Sequence, residues 1–196
     1  ENIAYRQRQR LNEDAKRAIA QAVAAQVPEG CSLILNIGTT AEAIALALLQ
    51  HRGLRVITNN LNVAAILSDA PGCEVTVAGG QVRSRDRGII GETTVEFISQ
   101  FRVDIGVIGI SGIESDGSLR DFDVREVKVA QAIMRASRQV WLAADHSKFD
   151  RPAMVALGHL EQVHRLFTDQ PPPPHFQALL DSAGVACSLP TESPSP

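Results

Sequence analysis

Gly38-Thr39-Thr40 follows the apolar run Leu33-Ile34-Leu35-Asn36-Ile37 and precedes a helical pattern from Ala41 to Leu49. A buried strand, a tight turn and a helix N-terminus in that order make an anion site. The first-turn amides have no intrahelical acceptor, and the helix dipole favours negative charge there. Gly38 lets the backbone approach a guest closely. Thr39 and Thr40 add hydroxyl donors, and either is a candidate helix cap. A phosphate on a small metabolite suits such a site; the plainer alternative is an ordinary strand-to-helix turn. Lys148, in Asp145-His146-Ser147-Lys148-Phe149, offers a mobile ammonium for a phosphate or a Schiff base for a carbonyl sugar, or is a surface lysine. Asp121, Asp123 and Glu126 stand where a helix pattern begins, either to complement its dipole or to accept hydrogen bonds from sugar hydroxyls. His146 is a proton shuttle or simply a polar loop residue. No metal-ligand spacing and no nucleophile–base–acid arrangement is legible, so no catalytic residue, metal or cofactor is assigned.

The elements that must hold these groups alternate. Strand patterns cover Leu33–Ile37, Arg55–Thr58, Glu74–Ala78, Ile105–Ile110, Val140–Ala144, Arg165–Thr168 and Val185–Ser188. Helical spacing covers Asp14–Val27, Ala41–His51, Leu61–Ser68, Thr93–Phe101, Val124–Ala136 and Pro174–Ala183. The alternation predicts an α/β fold, a Rossmann-like parallel sheet flanked by helices. Ligands of such sheets bind outside the carboxyl ends of the strands. Those ends read Gly38-Thr39-Thr40, Thr58-Asn59-Asn60, Gly79-Gly80-Gln81-Val82-Arg83, Ser111-Gly112-Ile113, Asp145 to Phe149, and Thr168-Asp169. Each alone is ordinary turn chemistry; together at one sheet edge they predict one pocket. Its expected ligand-binding residues are Gly38, Thr39, Thr40, Asn59, Asn60, Gly79, Gly80, Arg83, Asp123, Glu126 and Lys148.

Bulk properties narrow the classes. The 196 residues are 44% hydrophobic with a net charge of -3, and the mean hydropathy is -0.01. These suit one globular domain, and the acidic balance disfavours a nucleic-acid-binding surface. The apolar runs are too short to span a membrane. Cys31, Cys73 and Cys187 are odd in number and far apart, which points to small core residues in a reducing cytoplasm. Trp141 reads as core. Glu1 to Asn12, with Arg6, Arg8 and Arg10, reads as a linker from a preceding segment; residues 13–189 read as the domain; Pro190 to Pro196 reads as a disordered tail. Arg83 to Gly91 has no secondary-structure period and reads as a solvated loop or a lid. Asp116-Gly117 marks a tight turn between Ile113 and Leu119.

Asn36-Ile37-Gly38-Thr39-Thr40, Thr58-Asn59-Asn60, Ala78-Gly79-Gly80, Gly88-Ile89-Ile90-Gly91, Gly109-Ile110-Ser111-Gly112, and Asp145 to Phe149 with Thr168-Asp169 resemble the effector-sensing domain of DeoR-type bacterial transcriptional repressors. The resemblance runs from about Glu13 to Leu189. Arg83 to Asp86, Phe97 to Arg102 and Asp145 to Phe149 are similar to the branch of that family that governs glycerol-3-phosphate genes. The resemblance implies a fold related to ribose-5-phosphate isomerase, and a phosphorylated sugar or polyol as inducer, glycerol-3-phosphate favoured. It also implies a homodimer or homotetramer and an operator-DNA contact made by an N-terminal winged helix-turn-helix outside this sequence. The family usually carries an aspartate where this chain has Asn36. The amide can still meet a ligand hydroxyl, but any acid–base role there is lost. A sugar-phosphate isomerase on the same scaffold is the alternative, with the Asp121–Glu126 cluster as its source of a base.

Overall fold

The computed structural model of the chain describes the backbone of residues 2–191. In chain order the helices are α1 (Asn2–Gln26), α2 (Thr39–Ala47), α3 (Leu61–Ser68), α4 (Glu92–Ile98), α5 (Val124–Ala136) and α6 (Pro174–Ala183). The strands are β1 (Ser32–Leu35), β2 (Leu54–Thr58), β3 (Cys73–Val77), β4 (Gln81–Arg83), β5 (Gly88–Ile90), β6 (Val103–Ile108), β7 (Gly112–Ile113), β8 (Ser118–Asp121), β9 (Ser137–Ala143), β10 (Val155–His159), β11 (Arg165–Phe167) and β12 (Ala186–Ser188).

Seven strands form one sheet in the order β12-β11-β9-β6-β1-β2-β3, with every neighbouring pair parallel. A parallel sheet needs both faces covered, and the strands supply two apolar faces by alternation. Leu33, Leu35, Val56, Val107, Trp141, Ala143 and Phe167 point to one side, against α1, α2 and α3. Ile34, Ile57, Ile108, Val140, Leu142 and Leu166 point to the other, against α5 and α6. The Trp141 and Phe167 rings lie 5.0 Å apart on the first face, the tilted geometry that suits their quadrupoles. The connection order places the sheet's switch point between β1 and β6. From β1 the chain runs outward to β2 and β3, then crosses back to β6 on β1's other flank. The crevice between those two strand ends is where such sheets hold ligands.

Two small antiparallel additions sit beside the main sheet. β7, β8 and β10 form a three-stranded sheet whose first turn is the expected one at Asp116-Gly117. β4 and β5 form a hairpin, so Arg83 to Gly91 is not the irregular loop expected from its polarity. Asp86 explains the order: it takes the Arg83 guanidinium in an ion pair and accepts from the Gly88 amide at 3.1 Å, closing the turn. β10, Val155-Ala156-Leu157-Gly158-His159, was not anticipated because a glycine and a histidine interrupt its apolar pattern. The first helix begins at Asn2 rather than Asp14, so the backbone of the stretch read as a linker is helical. Most of the expected tail, residues 192–196, lies outside the described residues. Among the described residues, no helix is long and apolar enough to cross a membrane.

Candidate ligand-binding site

A cavity of about 180 Å³ opens at the switch point. Its walls come from the ends of β1 (Asn36 to Thr40), β6 (Val107 to Ser111) and β9 (Ala143 to Asp145, with Lys148), from Asp121 and Glu126, and from Lys16 of α1. Three of the six polar strand ends therefore meet, those of the three adjacent central strands.

The floor is an anion cradle. Gly38 precedes α2 at φ 118°, a conformation that glycine tolerates and L side chains rarely adopt. No side chain caps α2, so neither Thr39 nor Thr40 plays the capping role open to it, because the helix starts at Thr39 itself. The first intrahelical bond runs from the Glu42 amide to the Gly38 carbonyl at 3.2 Å. The amides ahead of it are left for another acceptor. Two ammonium groups, Lys16 and Lys148, share the cavity, and no carboxylate among the described residues is within salt-bridge distance of either. Burial lowers the pKa of Lys148, and Asp145 only partly offsets this. Asp145 in turn accepts from the Ser147 amide at 2.9 Å and from its hydroxyl. Burial alone would raise its pKa, but those bonds and the Lys148 charge bring it below the ordinary carboxylate value.

Asn36 is 4% exposed, and its Oδ1 has no hydrogen-bond partner. An unmatched buried acceptor costs about 1–3 kcal/mol, a penalty that a donor on a bound molecule would remove. Asp121 and Glu126 supply the acidic side. Asp121 Oδ1 is already held by the Ser111 hydroxyl at 2.7 Å and the Phe122 amide at 2.8 Å. Glu126 Oε2 accepts from Arg83 Nη1 at 3.1 Å. Burial, then repulsion from Asp121, pushes the Glu126 pKa up despite that arginine.

Of the expected residues, Gly38, Thr39, Thr40, Glu126 and Lys148 line the cavity; the others lie outside its walls. Arg83 binds Glu126, Asp123 and Asp86 at once, bracing the acidic wall from behind. Asp123 caps α5 by accepting from the Arg125 amide at 2.9 Å. Asn60 caps α3 through the Asn62 and Val63 amides at 2.9 and 3.2 Å. Asn59 donates to the Ile89 carbonyl at 3.1 Å, tying β5 to the end of β2. The Gly79 carbonyl accepts from Thr94 at 2.8 Å. A Cβ on Gly80, at φ 149°, would come within 2.1 Å of the Thr94 hydroxyl. These groups close the β2 and β3 ends of the sheet, away from the switch point. Five polar liners were not among the expected site residues. Asn36, Ser111, Asp121 and Asp145 stood in motifs already noted, but Lys16 lies in a helix whose pattern marked only a core face.

The sequence model of the DeoR C terminal sensor domain matches residues 11–170. The glycerol-3-phosphate regulon repressor of Escherichia coli (strain K12) is 52% identical over 188 residues, covering 96% of this chain and 75% of that protein. The HTH-type transcriptional repressor CsqR of the same organism is 44% identical over 191 residues, covering 97% and 73%. Among solved structures, ribose 5-phosphate isomerase A from Methanocaldococcus jannaschii aligns with a TM-score of 0.51 at 15% identity, covering 70% of this chain and 55% of that one. The eIF2B beta of Chaetomium thermophilum aligns at 0.59 and 17%, covering 88% and 53%. This chain thus spans about half of those two structures, and the likeness concerns the fold, which agrees with the expected isomerase-like α/β architecture. The curated relatives carry the names of transcriptional repressors, a non-enzymatic role. The chain belongs to the DeoR C terminal sensor domain family.

Proposed function

We propose that the cavity binds a phosphorylated polyol or sugar, glycerol-3-phosphate first among them, and that this chain is the part of a repressor that senses it. The observation that carries the reading is the meeting of three features at the switch point. They are the uncapped start of α2, the ammonium groups of Lys16 and Lys148, which form no salt bridge among the described residues, and the buried Oδ1 of Asn36, which has no hydrogen-bond partner among them. The phosphate sits on the amides at Gly38 to Thr40 with the two lysines; Asn36 and Glu126 meet the hydroxyl end. Arg83 and Asp123 act on that end indirectly, by holding Glu126. The isomerase alternative needs a carboxylate free to take a proton. The relatives of this chain are named as transcriptional repressors, which supports sensing over catalysis. In the whole protein, operator DNA is held by a winged helix-turn-helix ahead of this chain, in a cytoplasmic homodimer or homotetramer.

A thermal-denaturation panel of phosphorylated metabolites tests the reading. A ligand at about 100 times its Kd stabilises by about 2.7 kcal/mol. Glycerol-3-phosphate is expected to raise the midpoint well beyond inorganic phosphate, with no isomer formed by NMR. No shift with any phosphorylated polyol or sugar would overturn the reading.

A further inference from the structure

Among the described residues, Lys16 is the sole side chain that α1 contributes to the ligand cavity. It also stands where α1 changes character. From Ala15 onward one face of the helix is buried, through Ile19, Ala20, Val23 and Ala24, against the sheet and α2. Ahead of Ala15, the side chains of Arg10, Glu13 and Asp14 are exposed and that of Asn12 is half-buried. The helix itself continues unbroken to Asn2. The turns from Asn2 to Asp14 measure about 20 Å at a rise of about 1.5 Å per residue.

We propose that Lys16 couples occupation of the cavity to the position of the N-terminal turns of α1. A phosphate monoester bridges the Lys16 and Lys148 ammonium groups, draws Lys16 inward, and tilts α1 about the point where its burial begins. The inference rests on the phosphate-ester reading of the cavity. With the cavity empty the two like charges repel: burial, then Arg151, then Lys16 disfavour the charged form of Lys148, and Asp145 offsets this only in part. A bound anion reverses the sign of that interaction. A second groove borders the same lysine. With a volume of about 910 Å³, it runs between α1 and α2, lined by Ala20, Ala24, Ala43, Ala47 and Leu46, and it shares Lys16 and Thr39 with the ligand cavity. Small side chains along that groove let one helix tilt against the other without a large steric barrier. A tilt of about 10° at the root of a helix 20 Å long moves its far end by roughly 3–4 Å, the scale of helix shifts that carry allosteric signals.

Amide hydrogen exchange on the full 196-residue chain, with and without saturating glycerol-3-phosphate, tests the coupling. In the unsubstituted protein the ligand is expected to slow exchange at Gly38 to Ala41 and also along residues 10–18 of α1, by roughly fivefold or more at both. Lys16→Met should weaken binding by calorimetry about tenfold, the effect of one charged hydrogen bond. At saturation it should keep the protection at Gly38 to Ala41 and lose that of α1, and Lys16→Arg should restore it. Protection of α1 unchanged in Lys16→Met, or absent from the unsubstituted protein while Gly38 to Ala41 is protected, would overturn the coupling and leave the site reading standing. If neither heat nor protection appears with any phosphorylated polyol or sugar, both fall together.

Discussion

Lys148 and Glu126 show how the same burial acts in opposite directions on a cation and an anion. Desolvation disfavours charge, so it lowers the one pKa and raises the other. For Lys148 an anionic ligand supplies the missing counter-charge. Lys148→Ala is expected to weaken glycerol-3-phosphate binding by about 1.5–3 kcal/mol, the range of a hydrogen bond to a charged group. Calorimetry giving an unchanged Kd would remove the residue from the site. For Glu126 the sign follows from linkage. Its pKa in the folded state lies above the ordinary carboxylate value. Its contribution to stability is therefore complete below that value and lost as the pH rises through the folded-state pKa. As the pH rises through that pKa the fold comes to hold an ionised group it disfavours. Glu126→Gln does not titrate, so its stability relative to the parent protein should grow from acid to neutral pH, while Arg83 keeps Asp86 and Asp123 as partners. Paired denaturation curves at the two pH values measure this; equal differences at both would refute it. The same substitution should lower affinity for glycerol-3-phosphate more than for inorganic phosphate, since only the former has a hydroxyl end. A gain in stability with a loss of binding is the trade expected of a functional carboxylate.

At the scale of elements, the polar strand ends divide by position. Asn60 and Asp123 look alike in sequence, polar groups just ahead of helices, and both prove to be caps. Asn60→Ala should cost about 1 kcal/mol in thermal denaturation, the usual loss of an N-cap, with glycerol-3-phosphate affinity unchanged. A drop in affinity from a protein that still folds would show that Asn60 reaches the ligand. All seven strands of the main sheet were legible, because each is a short apolar run that alternates with a helical period. Their lateral order was not, and that order decides which strand ends share a cavity. Hence Gly38 to Thr40 and Lys148 line the cavity, whereas Asn59, Asn60, Gly79 and Gly80 belong to strand ends on the far side of β1. The β4–β5 hairpin escaped notice because its order comes from Arg83 and Asp86, charged residues that carry no periodic signal. The early turns of α1 escaped for a related reason: Tyr5 to Arg10 is polar on nearly every side, and periodicity detects only helices with a face. Lys16 lacks any local mark, since what distinguishes it is a strand end far along the chain.

For the molecule as a whole, the acidic balance and the placement of the cations bear on DNA. The net charge is -3, and two of the lysines, Lys16 and Lys148, face the cavity rather than forming an external basic stripe. Binding to duplex DNA draws most of its free energy from phosphate neutralisation, and base readout needs an element placed in a groove. Neither is supplied by a parallel sheet whose polar edge is folded around a small cavity. These 196 residues alone should therefore give no sequence-selective retardation of operator DNA in a gel-shift titration, even at low salt, where phosphate attraction is strongest. Selective retardation would place a DNA-reading surface on this chain and overturn the division of labour proposed here. In a longer protein that joins this domain to a DNA-reading one, linkage makes the coupling reciprocal. If glycerol-3-phosphate weakens operator binding by some factor, saturating operator must weaken glycerol-3-phosphate binding by the same factor. If α1 carries that coupling, Lys16→Met in the longer protein should shrink both factors together toward one. Calorimetry of the inducer with and without operator reads one factor and gel-shift titration reads the other. A loss confined to one of the two would mean that Lys16 serves a site and not the connection between them.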